Sequence, residues 1–343
     1  MQEIELKFQV PAGRVAAVGD AVRRLPAPDD QTNPLPLRAA YLDTPDNRLA
    51  RQRMALRVRQ EGSAWVQTFK GAGADAMTRL EENIAIEPPP GGGTVRANLQ
   101  RHGGEVQAAL ARALPAWQPS TDPRGESIGL IPVYETRFER WQGVLPSETG
   151  RVLVCLDQGH VIAGPLQTPL CELELELIDG HARAVIEQAR HWVQNHGVWL
   201  DVQSKAMKGT RLARHAAQGH PEPTQAVAFD TAAPVDGEGS WGPWLSAALD
   251  ACAGNAAELV RNADGAQRAL DAWLQALQAI ADHLPCSPWG TNPSARQVAA
   301  QAQAWRAELS SLPAEGIQRA QAVAQAPAHT LWALDVLALL YGR

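Results

Sequence analysis

Residues 171–177 read Cys171-Glu172-Leu173-Glu174-Leu175-Glu176-Leu177, a strict alternation of carboxylate and apolar side chain. A period of two belongs to a β-strand, so Glu172, Glu174 and Glu176 share one face and the leucines the other. The N-terminus repeats the pattern: Glu3, Glu5 and Lys7 alternate with Ile4, Leu6 and Phe8. Three carboxylates in a row on one sheet face repel one another, and no structural need calls for them. A divalent cation would remove the repulsion.

The same split recurs outward from these two strands. Arg57 and Arg59 share a face in Leu56-Arg57-Val58-Arg59, Thr68 and Lys70 share one in the next strand, and Arg79 and Glu81 in the one after. Arg137 lies within Tyr134–Trp141. Strands are predicted near 1–10, 37–44, 54–61, 64–70, 79–87, 130–141, 151–157 and 170–178, with turns at Glu61-Gly62-Ser63 and Asp157-Gln158-Gly159. Eight strands with mostly short connections favour an antiparallel barrel or a sandwich. On any one strand, polar alternation reads simply as a solvated outer face. If all the charged faces pointed into a closed barrel, the lumen would mix carboxylates with Arg and Lys. That suits an anionic polyphosphate chelating Mg²⁺ or Mn²⁺.

Helical spacing predicts helices over about 11–25, 104–114 and 179–195, and Pro/Gly-rich loops at 26–36 and 88–93. From 217 to 239 the chain turns to Gly, Pro, Thr and Asp and reads as a linker between a domain at 1–216 and one at 240–343. The second is all-helical, with about four helices at 244–260, 267–284, 294–312 and 318–341. The fold class expected is therefore α+β: eight antiparallel strands in a barrel or a sandwich with flanking helices, then an all-α domain.

The 343 residues carry 31 Lys+Arg and 37 Asp+Glu, a net charge of −6. Beyond Pro221 there are 6 Arg, no Lys and 12 acidic residues, which leaves 25 of each sign before it. All the net acidity therefore belongs to the helical part. This balance argues against binding duplex nucleic acid or a membrane surface. Cys155, Cys171, Cys252 and Cys286 lie far apart, with no disulfide framework or zinc spacing, which suits a reducing cytoplasm. The N-terminus is charged from the start, and no stretch approaches the roughly 20 apolar residues of a membrane span. His102, His160, His181, His191, His196 and His215 show no ligand spacing and read as surface or packing residues.

Together these segments resemble the CYTH superfamily, the triphosphate tunnel metalloenzymes. Glu3-Ile4-Glu5-Leu6-Lys7 is similar to the family's ExExK signature. Further landmarks follow in order: Tyr41-Leu42-Asp43-Thr44-Pro45, Leu56 to Arg59, Thr68 to Lys70, Arg79-Leu80-Glu81, Thr136-Arg137-Phe138, Leu156-Asp157-Gln158-Gly159, Glu172 to Glu176, and Ser204-Lys205. The resemblance covers about residues 1–215. It implies an eight-stranded antiparallel β-barrel forming a tunnel, open to solvent, that binds a triphosphate with divalent metal, Mg²⁺ or Mn²⁺. Glu3, Glu5, Glu172 and Glu174 would be metal ligands, with Glu176 in phase beside them. Lys7, Arg57, Arg59, Lys70, Arg79, Arg137 and Lys205 would grip phosphates, and Glu81 would support the metal's water or orient a basic neighbour. Asn83 departs from the family, which often carries Glu there, and Glu82 is out of phase with the charged face. Asp43 reads either as a cap of its own turn or as a site residue.

Helices after such a barrel resemble a CHAD domain, but this segment lacks the basic character of that domain and should repel a polyanion. It reads as a degenerate or truncated CHAD-like domain with a packing or homodimer role. Six of the eleven tryptophans sit in it, at 241, 244, 273, 289, 305 and 332, and most are expected in its core. The activity expected is hydrolysis of inorganic triphosphate to pyrophosphate and phosphate. The alternatives are thiamine triphosphate, a nucleoside or RNA 5′-triphosphate, adenylate cyclisation, or a non-catalytic polyphosphate-binding module.

Overall fold

The computed structural model describes residues 2–28, 34–72, 77–88, 96–234, 238–261, 264–312 and 316–342. The barrel strands are β1 (Gln2–Gln9), β2 (Leu35–Asp43), β3 (Ala55–Glu61), β4 (Ala64–Ala72), β5 (Thr78–Ile86), β6 (Ile131–Ser147), β7 (Gly150–Ala163) and β8 (Leu166–Gly180). They pair antiparallel in the order β5-β4-β3-β2-β6-β7-β8-β1. Contact of β1 with β5, through Gln2 with Leu80, Glu3 with Arg79 and Ile4 with Thr78, closes the barrel. A two-residue strand, β9 (Trp199–Leu200), attaches to β1 at Phe8 and Gln9.

The alternation is used with its apolar face outward, because helices cover the barrel from outside. Leu6, Phe8, Val152, Val154, Leu156, Leu173 and Leu175 are buried against α1 (Val15–Arg23) and α4 (Ala182–His196). Leu56, Val58 and Phe69 are buried with Val106, Ala109 and Leu110 of α3 (Gly104–Ala113). Each such side chain contributes about 1.5–3 kcal/mol on burial, so the strands cannot turn over without losing this layer. The short α2 (Arg48–Arg51) follows β2.

Two local expectations are corrected. Residues 157–159 are not a turn: β7 runs straight through them, with Asp157 opposite Arg140 and Gly159 opposite Phe138. A Cβ at Gly159 would stand 2.1 Å from the Arg137 carbonyl oxygen, so the residue that looked like a turn signal permits close strand contact instead. The second correction is α5 (Lys205–Gln218), a helix in a stretch given no element by its periodicity. Ser204 Oγ caps it by accepting from the Met207 amide at 3.2 Å, and Gly219, at φ 80°, ends it.

Among the described residues the C-terminal part holds five α-helices rather than four: α6 (Trp241–Arg261), α7 (Ala266–His283), α8 (Pro293–Ser310), α9 (Ile317–Ala324) and α10 (Pro327–Tyr341). The expected last helix breaks at Pro327, which takes the first helical position of α10, and the two pieces meet at 53°. Trp244, Trp273 and Trp332 are buried in the core. The segment before α6 is pinned along it: Val227 N donates to Asn255 Oδ1 at 2.8 Å and Trp244 Nε1 to the Ala232 carbonyl at 2.9 Å. One apolar cluster runs from the outer barrel face through α4 into these helices. Arg190 of α4 pairs with Asp335 of α10 at 2.6 Å. Among the described residues no single helix is long and apolar enough to cross a membrane. The 88–93 loop lies almost wholly outside the described residues.

Candidate active site

Residues paired across neighbouring strands point to the same face, so the register identifies the lumen directly. Going around the barrel, Glu176 faces Glu5, and Glu174 faces Lys7. Glu3 faces Arg79, and Glu81 faces Lys70. Asn83 faces Thr68, Thr68 faces Arg57, and Arg57 faces Tyr41. Tyr41 faces Tyr134 on β6. On the same face of β6, Arg140 meets Asp157, which meets Glu172 on β8. The ring is complete, and the charged sides of seven strands converge inside it.

The charges form two groups. Around the closing seam, Lys70 Nζ lies 3.0 Å from Glu3 Oε2 and is also paired with Glu81. Asn83 Nδ2 donates to Glu81 Oε1 at 2.8 Å, while its Oδ1 accepts from Thr68 at 2.7 Å. The position that departs from the family pattern thus orients Glu81. Burial and a hydrogen bond to Glu81 push the Glu3 carboxyl up to about 9. Glu81 is driven the other way: burial pushes it up, but Lys70, the hydrogen bond from Glu3 and Arg57 together hold it below the ordinary carboxylate range. One proton is therefore held between two carboxylates. Burial pushes Glu5 upward too, but Lys70 and Lys7 hold it below the ordinary carboxylate range. Burial raises Glu176, which faces Glu5.

The second group centres on α5. Lys205 Nζ stands 2.8 Å from Asp157 Oδ2, from Glu172 Oε2 and from Glu174 Oε1. Lys208 Nζ reaches Glu172 Oε1 at 2.5 Å and Asp201 Oδ2 at 2.8 Å, and Lys7 Nζ lies 3.2 Å from Glu174. Arg140 forks onto Asp157 with two contacts of 2.7 Å and touches Glu174 at 2.7 Å. Burial opposes ionisation of Glu172, yet Lys205 and Lys208 bring it down to about 2. Glu174 is likewise held well below its ordinary value by Lys205, Lys7 and Arg140 against burial.

The remaining side of the lumen is apolar. Tyr41 stacks on Tyr134 with ring centroids 4.7 Å apart, and Phe138 lies in the same cluster. α5 packs on this surface: Tyr134 Oη donates to the Ala206 carbonyl at 3.1 Å, and a Cβ on Gly209 would fall 2.0 Å from the Tyr134 ring. One flank of the tunnel is therefore filled by the helix.

Of the residues expected from sequence, the structure brings Glu3, Glu5, Lys7, Arg57, Arg59, Lys70, Arg79, Glu81, Glu172, Glu174, Glu176 and Lys205 to this inner face. Arg59 also pairs with Glu61 on its own strand. Arg137 does not join them. It sits one residue out of phase, on the outer face, 54% exposed and paired with Glu135 at 2.9 Å. The basic residue that β6 sends inward is Arg140, three positions on. Arg140, Asp157 and Lys208 were missed. Phase along β6 points to Arg140, since Tyr134, Phe138 and Arg140 fall on one side. Asp43 is a cap: its carboxylate accepts from the amides of Thr44 at 2.7 Å, Leu49 at 2.9 Å and Ala50 at 3.0 Å. Glu82 faces outward and meets His102 Nδ1 at 2.7 Å, and His102 is buried in packing, not in the lumen.

The donor chemistry fits a hard divalent cation, since carboxylate oxygens are what such ions take. In this arrangement the carboxylates are engaged by ammonium and guanidinium groups. Among the described residues no three acidic, His or Cys side chains are grouped as a metal cluster.

The fold and site together define a closed antiparallel barrel whose lumen is lined by interleaved carboxylates and cationic side chains. The CYTH domain family model matches residues 1–209, and the chain belongs to that family. It is 27% identical over 219 residues to an inorganic triphosphatase of Haemophilus influenzae, covering 62% of this chain and 55% of that one. The chain thus spans about half the length of that relative. Among solved structures, it is similar to a protein of Pyrococcus horikoshii with TM-score 0.37 and 16% identity, covering 60% of this chain and 97% of the other. It is also similar to an inorganic triphosphatase structure with TM-score 0.20 and 24% identity, covering 52% and 74%.

Proposed function

We propose that this chain hydrolyses inorganic triphosphate to pyrophosphate and phosphate in the barrel lumen, with Mg²⁺ or Mn²⁺. One observation carries the reading: Lys7, Arg57, Lys70, Arg140, Lys205 and Lys208 stand in one lumen with carboxylates from β1, β5, β7 and β8. A linear polyphosphate needs both sets, cations on its oxygens and acidic groups for its counter-ion. Glu3, Glu5, Glu172, Glu174 and Glu176 would hold the metal. When bound, the metal would neutralise the substrate and lower the pKa of a water that attacks phosphorus in line. Lys and Arg would release their carboxylate partners to the phosphates and stabilise the charge that spreads over the phosphoryl oxygens in the transition state.

The filled flank favours an inorganic substrate. A nucleobase or a thiazolium ring would call for an aromatic surface to stack on, and Tyr134 and Phe138 are covered by α5. The matching triphosphatase relative supports the same choice. A panel of tripolyphosphate, ATP and thiamine triphosphate, run with Mg²⁺ and Mn²⁺ in parallel, tests it. Brisk hydrolysis of an organic triphosphate with no phosphate released from tripolyphosphate would sink the proposal.

A further inference from the structure

Glu258 lies on α6, in the helical part, yet it is among the most buried acids of the chain, with its side chain 3% exposed. Its partners come mostly from outside α6. Gln203 Nε2 donates to Oε1 at 3.1 Å, the guanidinium of Arg211 on α5 pairs with the same oxygen, and Oε2 accepts from Arg261 at 3.0 Å and from the Gln225 amide at 3.3 Å.

Gln203 and Arg211 bracket the first two turns of α5, which carry Lys205 and Lys208. The loop leading in is held from both sides. Leu200 N donates to Thr330 Oγ1 of α10 at 3.1 Å, and Asp201 N donates to the Lys7 carbonyl at 3.0 Å. Asp201 then accepts from Gln9 at 2.8 Å and from the Gln203 amide at 2.8 Å. A continuous set of polar contacts therefore runs from α6 through α5 to Glu172 and Glu174. Removing one partner of a buried ion pair leaves an uncompensated charge, so α5 cannot shift along the barrel while Glu258 holds it.

We infer that Glu258 is a positioning residue for the lumen, and that the helical domain sets the placement of α5 and thereby of Lys205 and Lys208. The kinetic arm of this inference rests on the substrate reading above; the structural arm does not.

The test uses the full-length protein. E258Q keeps the size but removes the charge and turns one acceptor oxygen into a donor, against partners that all donate. Amide hydrogen exchange over 205–212 should accelerate at least about tenfold, with exchange in α7 and α8 unchanged. The kcat/KM for tripolyphosphate should fall about ten- to a hundredfold, the scale of a small misplacement. In a K205M background, E258Q should cost less than about twofold, because contacts acting through one residue are not additive. Unchanged exchange over 205–212, or losses that multiply in the double variant, overturns the inference. R211K gives the same readings should E258Q not accumulate as folded protein. If exchange responds while the native protein leaves tripolyphosphate intact, the substrate reading falls and the positioning stands.

Discussion

Lys205 and Glu172 meet at 2.8 Å inside the barrel, one on a helix and the other on a strand. The same ammonium contacts Asp157 and Glu174, so three carboxylates share one cation.

K205M should therefore be damaging twice. Turnover of tripolyphosphate should fall by about two orders of magnitude, as for loss of a charge stabiliser in the transition state. Stability should fall by about 3 kcal/mol at neutral pH, the lower end for a broken buried ion pair, because Lys7, Lys208 and Arg140 still pair the carboxylates that lose Lys205. Glu172 is ionised above about 2 in the native protein, so the deficit should be present at pH 7 and shrink as pH drops toward the carboxylate range. Melting temperatures of both proteins from pH 8 down to about 2, which spans the fall from 4.5 to the native value of Glu172, check this.

The shared proton at the seam gives the opposite sign. A carboxyl raised from 4.5 to about 9 binds its proton more tightly folded than unfolded. Its contribution is full below 4.5 and is lost progressively as pH climbs toward 9. E3Q fixes the side chain in a form like the protonated one. The variant should melt close to the native protein at pH 4.5 and increasingly above it from pH 6 to 9. A constant difference across that range counts against the shared proton.

Strand phase predicts a contrast between two arginines three residues apart. R137A should leave hydrolysis of tripolyphosphate within about twofold, since an exposed pair such as Arg137 with Glu135 is worth about 0–1 kcal/mol. R140A removes the fork on Asp157 and should cost at least tenfold in kcat/KM, with a clear fall in melting temperature. Steady-state kinetics on the two purified variants decide between these placements.

Gly209 is predicted to tolerate no side chain. A Cβ there would overlap the Tyr134 ring at 2.0 Å, and the ring is fixed by its stack on Tyr41. G209A should destabilise by about 1–3 kcal/mol, the scale of overpacking, and lower activity by displacing α5. Pairing it with Y134L should restore part of the stability.

Metal removal is the last test. A chelator should abolish phosphate release without unfolding the protein, because the carboxylates retain Lys70, Lys205 and Lys208 as partners. Circular dichroism alongside the assay separates the two effects.

Much of this was legible in the chain. The alternation at 2–10 and 171–177 identifies strands and sorts their side chains, because the period of two is local backbone geometry. The strands and their charged faces follow from such alternation, and the CYTH resemblance from the ordered motifs that lie on them. Arg137 was misplaced because a motif names residues near a site, whereas phase along the strand decides which side they face. Asp157 was hidden because Asp-Gln-Gly looks like a turn in isolation, and only pairing with β6 and β8 keeps the backbone extended there.

Other features exist only in three dimensions. Whether the charged faces turn inward depends on where the apolar faces find cover, and α1, α3 and α4 supply it from outside. The role of α5 depends on Tyr134 giving its Gly209 a surface to lie on. Glu258 lies 53 residues along the chain from Lys205, and only packing of the helical part onto the barrel brings its carboxylate to α5. Sequence alone determines which side chains alternate; the tertiary contacts decide which side becomes the inside, because burial and charge pairing are properties of the closed barrel and not of any one strand.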